Sequence, residues 1–273
     1  MTEPVRPRPS ATVLLARDSA DGIELFMVVR HHQIDFASGA LVFPGGSLDP
    51  GDRDPRLRTL ADGVDDIDDN VLAVRVAAAR EAFEECGVLY ARAEGSDSIV
   101  DGQRAAALGE KYRSKLEANA IGLADIAEAE GLRLCLDQLH HFAHWITPVH
   151  MPKRFDTHFF LARAPADHHL VHDGSEAVDS VWIKPDQALK DADAGKQTLV
   201  FATRLNIERA GRSRTVAEAI ERTTSDPIIP VLPDVEKTDK GRILRIPIEA
   251  GYGRSEYRME GGPGSSKQAM KET

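Results

Sequence analysis

Apolar residues follow two different periods along this chain, and the change from one to the other sets the expected order of elements. Residues 11–17 (ATVLLAR) and 24–30 (ELFMVVR) are aliphatic and β-branched runs separated by Asp21-Gly22, a pattern that predicts strand, turn, strand. A third short strand, residues 41–43, runs into Pro44-Gly45-Gly46, where proline ends a ladder and glycines permit close backbone approach, so a tight loop is expected there. Residues 49–70 are rich in Asp and poor in apolar side chains, and they read as a solvated loop ending in the capping residues Asp68, Asp69 and Asn70. The period then becomes helical. On a helical wheel for residues 71–86, Leu72, Val76, Ala79 and Phe83 fall within roughly 60° of one another, a stripe that faces a core, and Gly87 suits the C′ position.

Further along, residues 101–131 predict one or two surface helices. Residues 154–162 and 178–183 predict two more strands, and helices are expected near 185–193 and 199–222. Mixed strands and helices predict an α/β fold, an α/β/α sandwich with a mixed sheet and a helical insertion. The expected organisation is a flexible N-terminus over 1–9, a single domain over 10–258 with insertions near 53–69 and 92–138, and a Gly/Ser/Lys-rich disordered tail over 259–273.

Composition narrows the function classes. The 273 residues are 42% apolar and 29% charged, which is ordinary for a globular chain with a sizeable core. A formal net charge of −10 disfavours nonspecific attraction to nucleic acid. Cys86 and Cys135 form neither a Cys-x-x-Cys pair nor a disulfide framework, which fits a reducing compartment. No secretory signal and no run of about 18 apolar residues is evident, so a cytoplasmic protein that does not span a membrane is expected.

The chemistry concentrates on the 71–86 helix. Glu81, Glu84 and Glu85 lie opposite the apolar stripe within an arc of about 100°, because spacings of three and four bring side chains together. Like charges so placed raise one another's pKa unless a divalent cation neutralises them, and carboxylate oxygens are the ligands that Mg²⁺ or Mn²⁺ prefer. A generic Glu-x-x-Glu-Glu face is ordinarily just solvated. Here, however, Arg80 stands beside Glu81, Gly87-Val88 closes the segment, and Gly45-Gly46 precedes it on the far side of a strand.

Those residues resemble the Nudix box, Gly-x5-Glu-x7-Arg-Glu-U-x-Glu-Glu-x-Gly-U, where U is a bulky apolar residue. Its second half reads Arg80-Glu81-Ala82-Phe83-Glu84-Glu85-Cys86-Gly87-Val88, departing only in the small Ala82. In the first half, Gly46 to Asp52, an Asp stands where the family has Glu, and 27 residues separate Asp52 from Arg80 where the pattern has seven. The chain thus carries a 20-residue acidic insertion inside the box, which leaves the role of Asp52 open. The resemblance implies a hydrolase of the Nudix superfamily that cleaves a diphosphate linkage. Glu81, Glu84 and Glu85 would bind metal with the Gly46 carbonyl nearby, Arg80 would orient the glutamates, and Glu81 would serve catalysis. Glu176 is the candidate for the additional acid that family members recruit from a later loop, with a solvated turn glutamate as the alternative.

Arg30, Gly39 and Phe43-Pro44-Gly45-Gly46 keep the spacing of the motif found in coenzyme A-cleaving members, although His31 and Asp35 alter two of its polar positions. The interrupted box, the long helical segment after it, and the stretches 144–148 and 153–160 are similar to the peroxisomal coenzyme A diphosphatase branch. That resemblance implies CoA or acyl-CoA as the small-molecule nucleoside diphosphate derivative cleaved, to 3′,5′-ADP and an (acyl-)phosphopantetheine. A nucleotide-sugar, dinucleotide or NADH diphosphatase, or a non-catalytic ligand-binding module, are the alternatives. Lys153 and Arg154 are candidates for binding a substrate phosphate, with a strand-edge salt bridge as the other reading. The chain ends Lys271-Glu272-Thr273 without a Ser-Lys-Leu address, so peroxisomal location is not expected. Many relatives pair, and a homodimer is the corresponding expectation. His140, His141 and His144 are close in sequence, but with no fixed fourth ligand they support no zinc site.

Overall fold

The structure is a computed structural model and describes residues 4–30, 40–168, 170, 177–260 and 270–271. Strands β1 (Arg8–Ser19) and β2 (Gly22–Arg30) form the expected hairpin, with Ser19 opposite Gly22 across the turn. β3 (Leu41–Val42) pairs with β2. The tight loop expected at Gly45-Gly46 is instead a short strand, β4 (Gly45–Ser47), that pairs with β1 so that Ala11 faces Gly46. Glycine makes this close pairing feasible, since a Cβ at Gly45 would stand 2.7 Å from the Thr12 Cα.

The segment expected as a solvated loop is ordered. It contains a 3-10 turn at Pro50–Arg53, a short helix α1 (Leu57–Leu60) and strand β5 (Ala61–Asp62), with Leu57, Ala61 and Val64 buried and Leu60 and Ile67 half-buried against the same core. Helix α2 (Asp69–Cys86) follows, beginning where the Asp68 carboxylate accepts from the Asn70 and Val71 amides at 2.8 and 3.0 Å. It ends at Gly87, whose φ of 71° lets its own amide reach the Phe83 carbonyl while the Val88 amide reaches Ala82. Strand β6 (Ala91–Ala93), helices α3 (Gly102–Glu117) and α4 (Leu123–Glu130) and strand β7 (Leu132–Cys135) complete the helical insertion.

The two expected insertions form one body. β5 from the first pairs with β7 from the second, and β6 pairs on the other side of β7. Arg56 reaches Asp125 and Glu128 at 2.8 and 2.6 Å, and Arg133 reaches Asp62 at 2.8 Å. This body covers α2, which is therefore buried almost all round rather than along one stripe. Ala73, Ala77, Ala78, Ala79 and Ala82 give the helix the slimness such a position requires, which explains the small residue at 82.

Strands β8 (His140–Ile146), β9 (Phe155–Arg163) and β10 (Ala177–Ile183) return to the main sheet. Helix α5 (Pro185–Asp193) comes next, and the expected 199–222 helix is two, α6 (Phe201–Ala210) and α7 (Val216–Ser225). Between them the Thr215 hydroxyl starts α7 afresh by accepting from the Glu218 amide. After β11 (Pro230–Val231), the chain forms a second antiparallel sheet from β12 (Asp234–Thr238), β13 (Gly241–Arg245), β14 (Glu256–Glu260) and β15 (Met270–Lys271). β14 continues past 258 and β15 pairs with it, so two strands fall inside the span expected as tail.

The main sheet runs β10-β2-β1-β9-β8-β11, with β1 and β9 parallel at its centre. Its two faces bury separate cores, as strand alternation requires. Val13, Leu15, Phe160 and Ala162 point to α2 and the insertion, while Leu14, Ala16, Phe159 and Leu161 meet α5 to α7 and the C-terminal sheet. The expected α/β/α sandwich is therefore observed, with an additional sheet on one side. Among the described residues no helix is long and apolar enough to cross a membrane.

Because Asp68 caps α2 through two amides, Asp68→Ala should destabilise the protein by about 1 kcal/mol in urea denaturation without altering the native far-UV spectrum. No loss of stability would show that packing alone fixes the start of the helix.

Candidate active site

The last turn and a half of α2 meets β4 at the edge of the main sheet, and there the side chains singled out by the box pattern come together. Arg80 is buried and uses all five of its N–H donors. Its Nε and Nη2 fork onto Asp52 at 3.0 and 3.1 Å, Nη2 also donates to the Ser47 carbonyl at 2.8 Å, and Nη1 donates to Glu81 at 2.9 Å and Glu84 at 2.6 Å. Asp49 lies 3.5 Å from the same guanidinium. Asp52 in turn accepts from the Asp49 amide at 2.8 Å, which holds the 3-10 turn against α2. The insertion loops out after Asp52 and returns, so this carboxylate stays in place.

Glu81 and Glu84 are buried in this nest, and Glu85, half-buried, accepts from the Gly45 amide at 3.0 Å. A Cβ on Gly46 would fall 2.8 Å from the Glu81 Cδ, so glycine is what lets that carboxylate approach the β4 backbone. The Glu84 main-chain carbonyl accepts from Arg113 of α3, a direct tie between the insertion and the box.

One guanidinium cannot balance these acids. Burial pushes the Glu81 carboxyl well above the usual range, with Glu84 adding to the rise and Arg80 opposing it. Burial likewise raises Glu84, to about 7, and raises Asp52, each again opposed by Arg80. Burial alone would lower Arg80, but Glu81, Asp52 and Glu84 outweigh it and hold its proton firmly. Among the described residues, Glu84 Oε1 is buried without a hydrogen-bond partner. An orphaned carboxylate oxygen beside a surplus of acids fits a hard divalent cation. Glu81, Glu84 and Glu85 could hold one, and Gly46 and Asp49 line the same cavity.

These acids form one end of a cavity of about 720 Å³. Ser10, Thr12 and Thr157 line its floor, and Trp145, Met151, Phe155, Phe201, Leu244 and Met259 form an apolar far wall. Glu117 and Asn119, from the end of α3, stand on its rim. The C-terminal sheet that supplies Leu244 and Met259 is anchored by Tyr252, whose hydroxyl accepts from Trp145 Nε1 at 2.8 Å and donates to Asn206 at 2.7 Å.

Other expected site residues are placed differently. Asp52 faces Arg80 rather than the cavity. Arg154 is buried, but its guanidinium is occupied by the Thr147 and Val5 carbonyls at 3.0 and 2.7 Å. Lys153 is exposed, and neither it nor Arg154 lines the cavity. Their positive charge suits a phosphate, but both lie just before β9 and outside the cavity lining. Arg30 ends β2, while Gly39 and Glu176 lie outside the described residues. A residue not expected from the sequence is Arg242, a cation on β13 that lines the cavity and whose Nε is buried with no hydrogen-bond partner among the described residues. The short Ile243-Leu244 run after Asp239-Lys240-Gly241 is a strand signal that could have found it.

Comparison with known proteins agrees with this geometry. Residues 59–201 match the family described as the NUDT19 Nudix domain, more than half of the chain, and the chain belongs to that family. The human protein named acyl-coenzyme A diphosphatase NUDT19 is 29% identical over 231 residues, covering 68% of this chain and 57% of its own length. Its Xenopus laevis namesake is 22% identical over 219 residues, covering 66% of this chain and 57% of its own. The chain thus spans just over half the length of the curated relatives it matches. Among solved structures, a Nudix hydrolase from Alicyclobacillus acidocaldarius superposes with a TM-score of 0.64 at 28% identity, over 80% of this chain and 96% of that one. The fold is that of the Nudix hydrolases.

Because Asp52 supplies two of the five contacts on a buried guanidinium, Asp52→Ala should cost about 3 kcal/mol in thermal or urea unfolding, the order found when one partner leaves a buried ion pair. Asp52→Asn, which keeps the shape, should lose less. Equal and negligible losses would contradict the placement of Asp52.

Proposed function

We propose that this protein is a metal-dependent diphosphatase that hydrolyses coenzyme A or acyl-CoA to 3′,5′-ADP and (acyl-)phosphopantetheine. The observation that carries the proposal is a single cavity with an acidic, cation-suited end and an extended apolar wall at the other, within a chain whose family includes proteins named acyl-CoA diphosphatases. A diphosphate needs the first environment, and a pantetheine arm with its acyl group suits the second.

Mg²⁺ or Mn²⁺ held by Glu81, Glu84 and Glu85 would neutralise phosphate charge and lower the pKa of the attacking water. The remaining work falls to the chain. Arg80 fixes the directions of Glu81 and Glu84, and the Gly45 amide fixes Glu85, so the ligand set is arranged before substrate arrives. Water adds to one phosphorus as the bridging P–O bond breaks. The leaving phosphate takes the bond's electron pair, and a cavity carboxylate accepts the proton from the water. Arg242, rather than Lys153 or Arg154, is the cation positioned to meet a further substrate phosphate.

Glu84→Gln and Glu85→Gln should each lower kcat by about 10³-fold, a loss of several kcal/mol of charge stabilisation, while the fold persists. Mass-spectrometric product analysis with CoA, ADP-ribose and NADH in the presence of Mg²⁺ or Mn²⁺ should show 3′,5′-ADP released from CoA in preference to cleavage of the others. Turnover of another diphosphate with no CoA cleavage would retire the substrate proposal and keep the hydrolase. Arg242→Gln should raise KM for CoA about tenfold, on the order of one charge-assisted hydrogen bond. It should change KM for 3′-dephospho-CoA much less, and an equal effect on both would remove Arg242 from recognition of the 3′-phosphate.

A further inference from the structure

The antiparallel pairing of β8 with β9 sets His144 directly opposite His158 and Ile146 opposite Asp156. Side chains at alternate positions of β9 share a face, so Asp156 and His158 point together, while Thr157 and Phe159 point to the other side and line the cavity. None of His144, Asp156 and His158 lines that cavity. The three converge closely. His144 Nε2 contacts Asp156 Oδ1, the His144 and His158 rings stack with centroids 4.0 Å apart and 20° between planes, and one ligand atom from each residue lies within 4.8 Å of the others.

We propose that His144, Asp156 and His158 form a Zn²⁺-binding site, separate from the Nudix box, made by two adjacent strands of the main sheet. Two imidazoles and one carboxylate are a donor set for zinc rather than for Mg²⁺, which prefers oxygen alone. A tetrahedral ion at about 2.0–2.2 Å from each ligand would draw the three atoms to roughly 3.4 Å apart, which takes only small side-chain rotations. Those rotations are available, since the Asp156 side chain is 37% exposed and that of His144 15%. The same exposure leaves a fourth position open to water or a ligand.

The surroundings support the ligands. His158 Nδ1 lies 3.1 Å from His141 Nε2, and the His141 ring stacks on Phe160 with centroids 5.2 Å apart. A hydrogen bond from one ring nitrogen fixes the tautomer that leaves the other free to bind metal, the usual arrangement behind a metal-bound histidine. The segment His140-His141-x-x-His144 does not bind as a unit, because His144 joins Asp156 and His158 across the sheet whereas His141 stands behind them.

The test is equilibrium dialysis of the full chain, first stripped with a chelator, against Zn²⁺ in excess Mg²⁺, with metal analysis of the protein. Wild type should retain one tightly bound Zn²⁺ per chain. His144→Gln and Asp156→Asn should each weaken Zn²⁺ binding by about 100-fold or more, since even outer-shell changes cost 10–100-fold. A Glu84→Gln/Glu85→Gln double variant should bind Zn²⁺ as wild type does. Co²⁺ in place of Zn²⁺ should give a visible absorption band that the Asp156→Asn protein lacks. The Asn variant, altered at a partly exposed position, keeps the test decisive if His144→Gln fails to fold. Failure of wild type to hold Zn²⁺ against Mg²⁺ would overturn the proposal, as would zinc binding lost only in the glutamate variant. Neither result bears on diphosphate cleavage, which the substrate panel measures separately.

Discussion

A buried guanidinium surrounded by carboxylates organises this protein. Arg80 sits inside the fold at the cost of its hydration, and it is stable there only because Asp52, Glu81, Glu84 and the Ser47 carbonyl take up every donor it has. The acids have the reciprocal problem. They outnumber the one cation, and burial raises their proton affinity until a further positive charge arrives. The site is thus a fixed arrangement with an unmet electrostatic demand, which is the condition for binding a divalent ion and an anionic substrate together.

Much of the remaining architecture serves to hold that arrangement. β4 can lie against β1 because Gly45 lacks a side chain, and Glu81 can approach β4 because Gly46 lacks one. The alanines along α2 allow the insertion to cover it, and Arg113 of that insertion grips the Glu84 carbonyl. Excluding water from the helix strengthens every charge interaction at its end. The interruption of the box is therefore compatible with an intact site: the extra residues leave after Asp52, pair with β7, and return to the Asp68 cap without displacing either anchor.

The same central strands serve two faces. Alternate residues of β9 supply Thr157 and Phe159 to the cavity and Asp156 and His158 to the histidine cluster behind it. The cavity's apolar wall comes from elements distant in sequence, with Trp145 bonded through Tyr252 to Asn206 so that β8, α6 and the segment leading into the C-terminal sheet are tied together. A chemically divided cavity of this kind suits a substrate with a charged head and an apolar arm.

The residues alone determined the opening hairpin, the capped helix from Asp68 to Gly87 and the three glutamates, because each is fixed by local rules: turn residues, capping atoms and a period of 3.6. Tertiary structure decided what those rules do not reach. A helical wheel groups Glu81 and Glu84 on one face but does not show their burial, which comes from Arg80 beside both and the β4 backbone against Glu81. An Asp-rich stretch reads as a loop until its few apolar residues, Leu57, Ala61 and Val64 foremost, find a core. Lys153 and Arg154 are cations close together in sequence, but the fold leaves both outside the cavity lining, with Arg154 on the Thr147 and Val5 carbonyls, and sets Arg242, nearly ninety residues later, in that lining. The His144, Asp156 and His158 cluster likewise exists only through strand register, since pairing across a sheet joins residues that no local spacing associates.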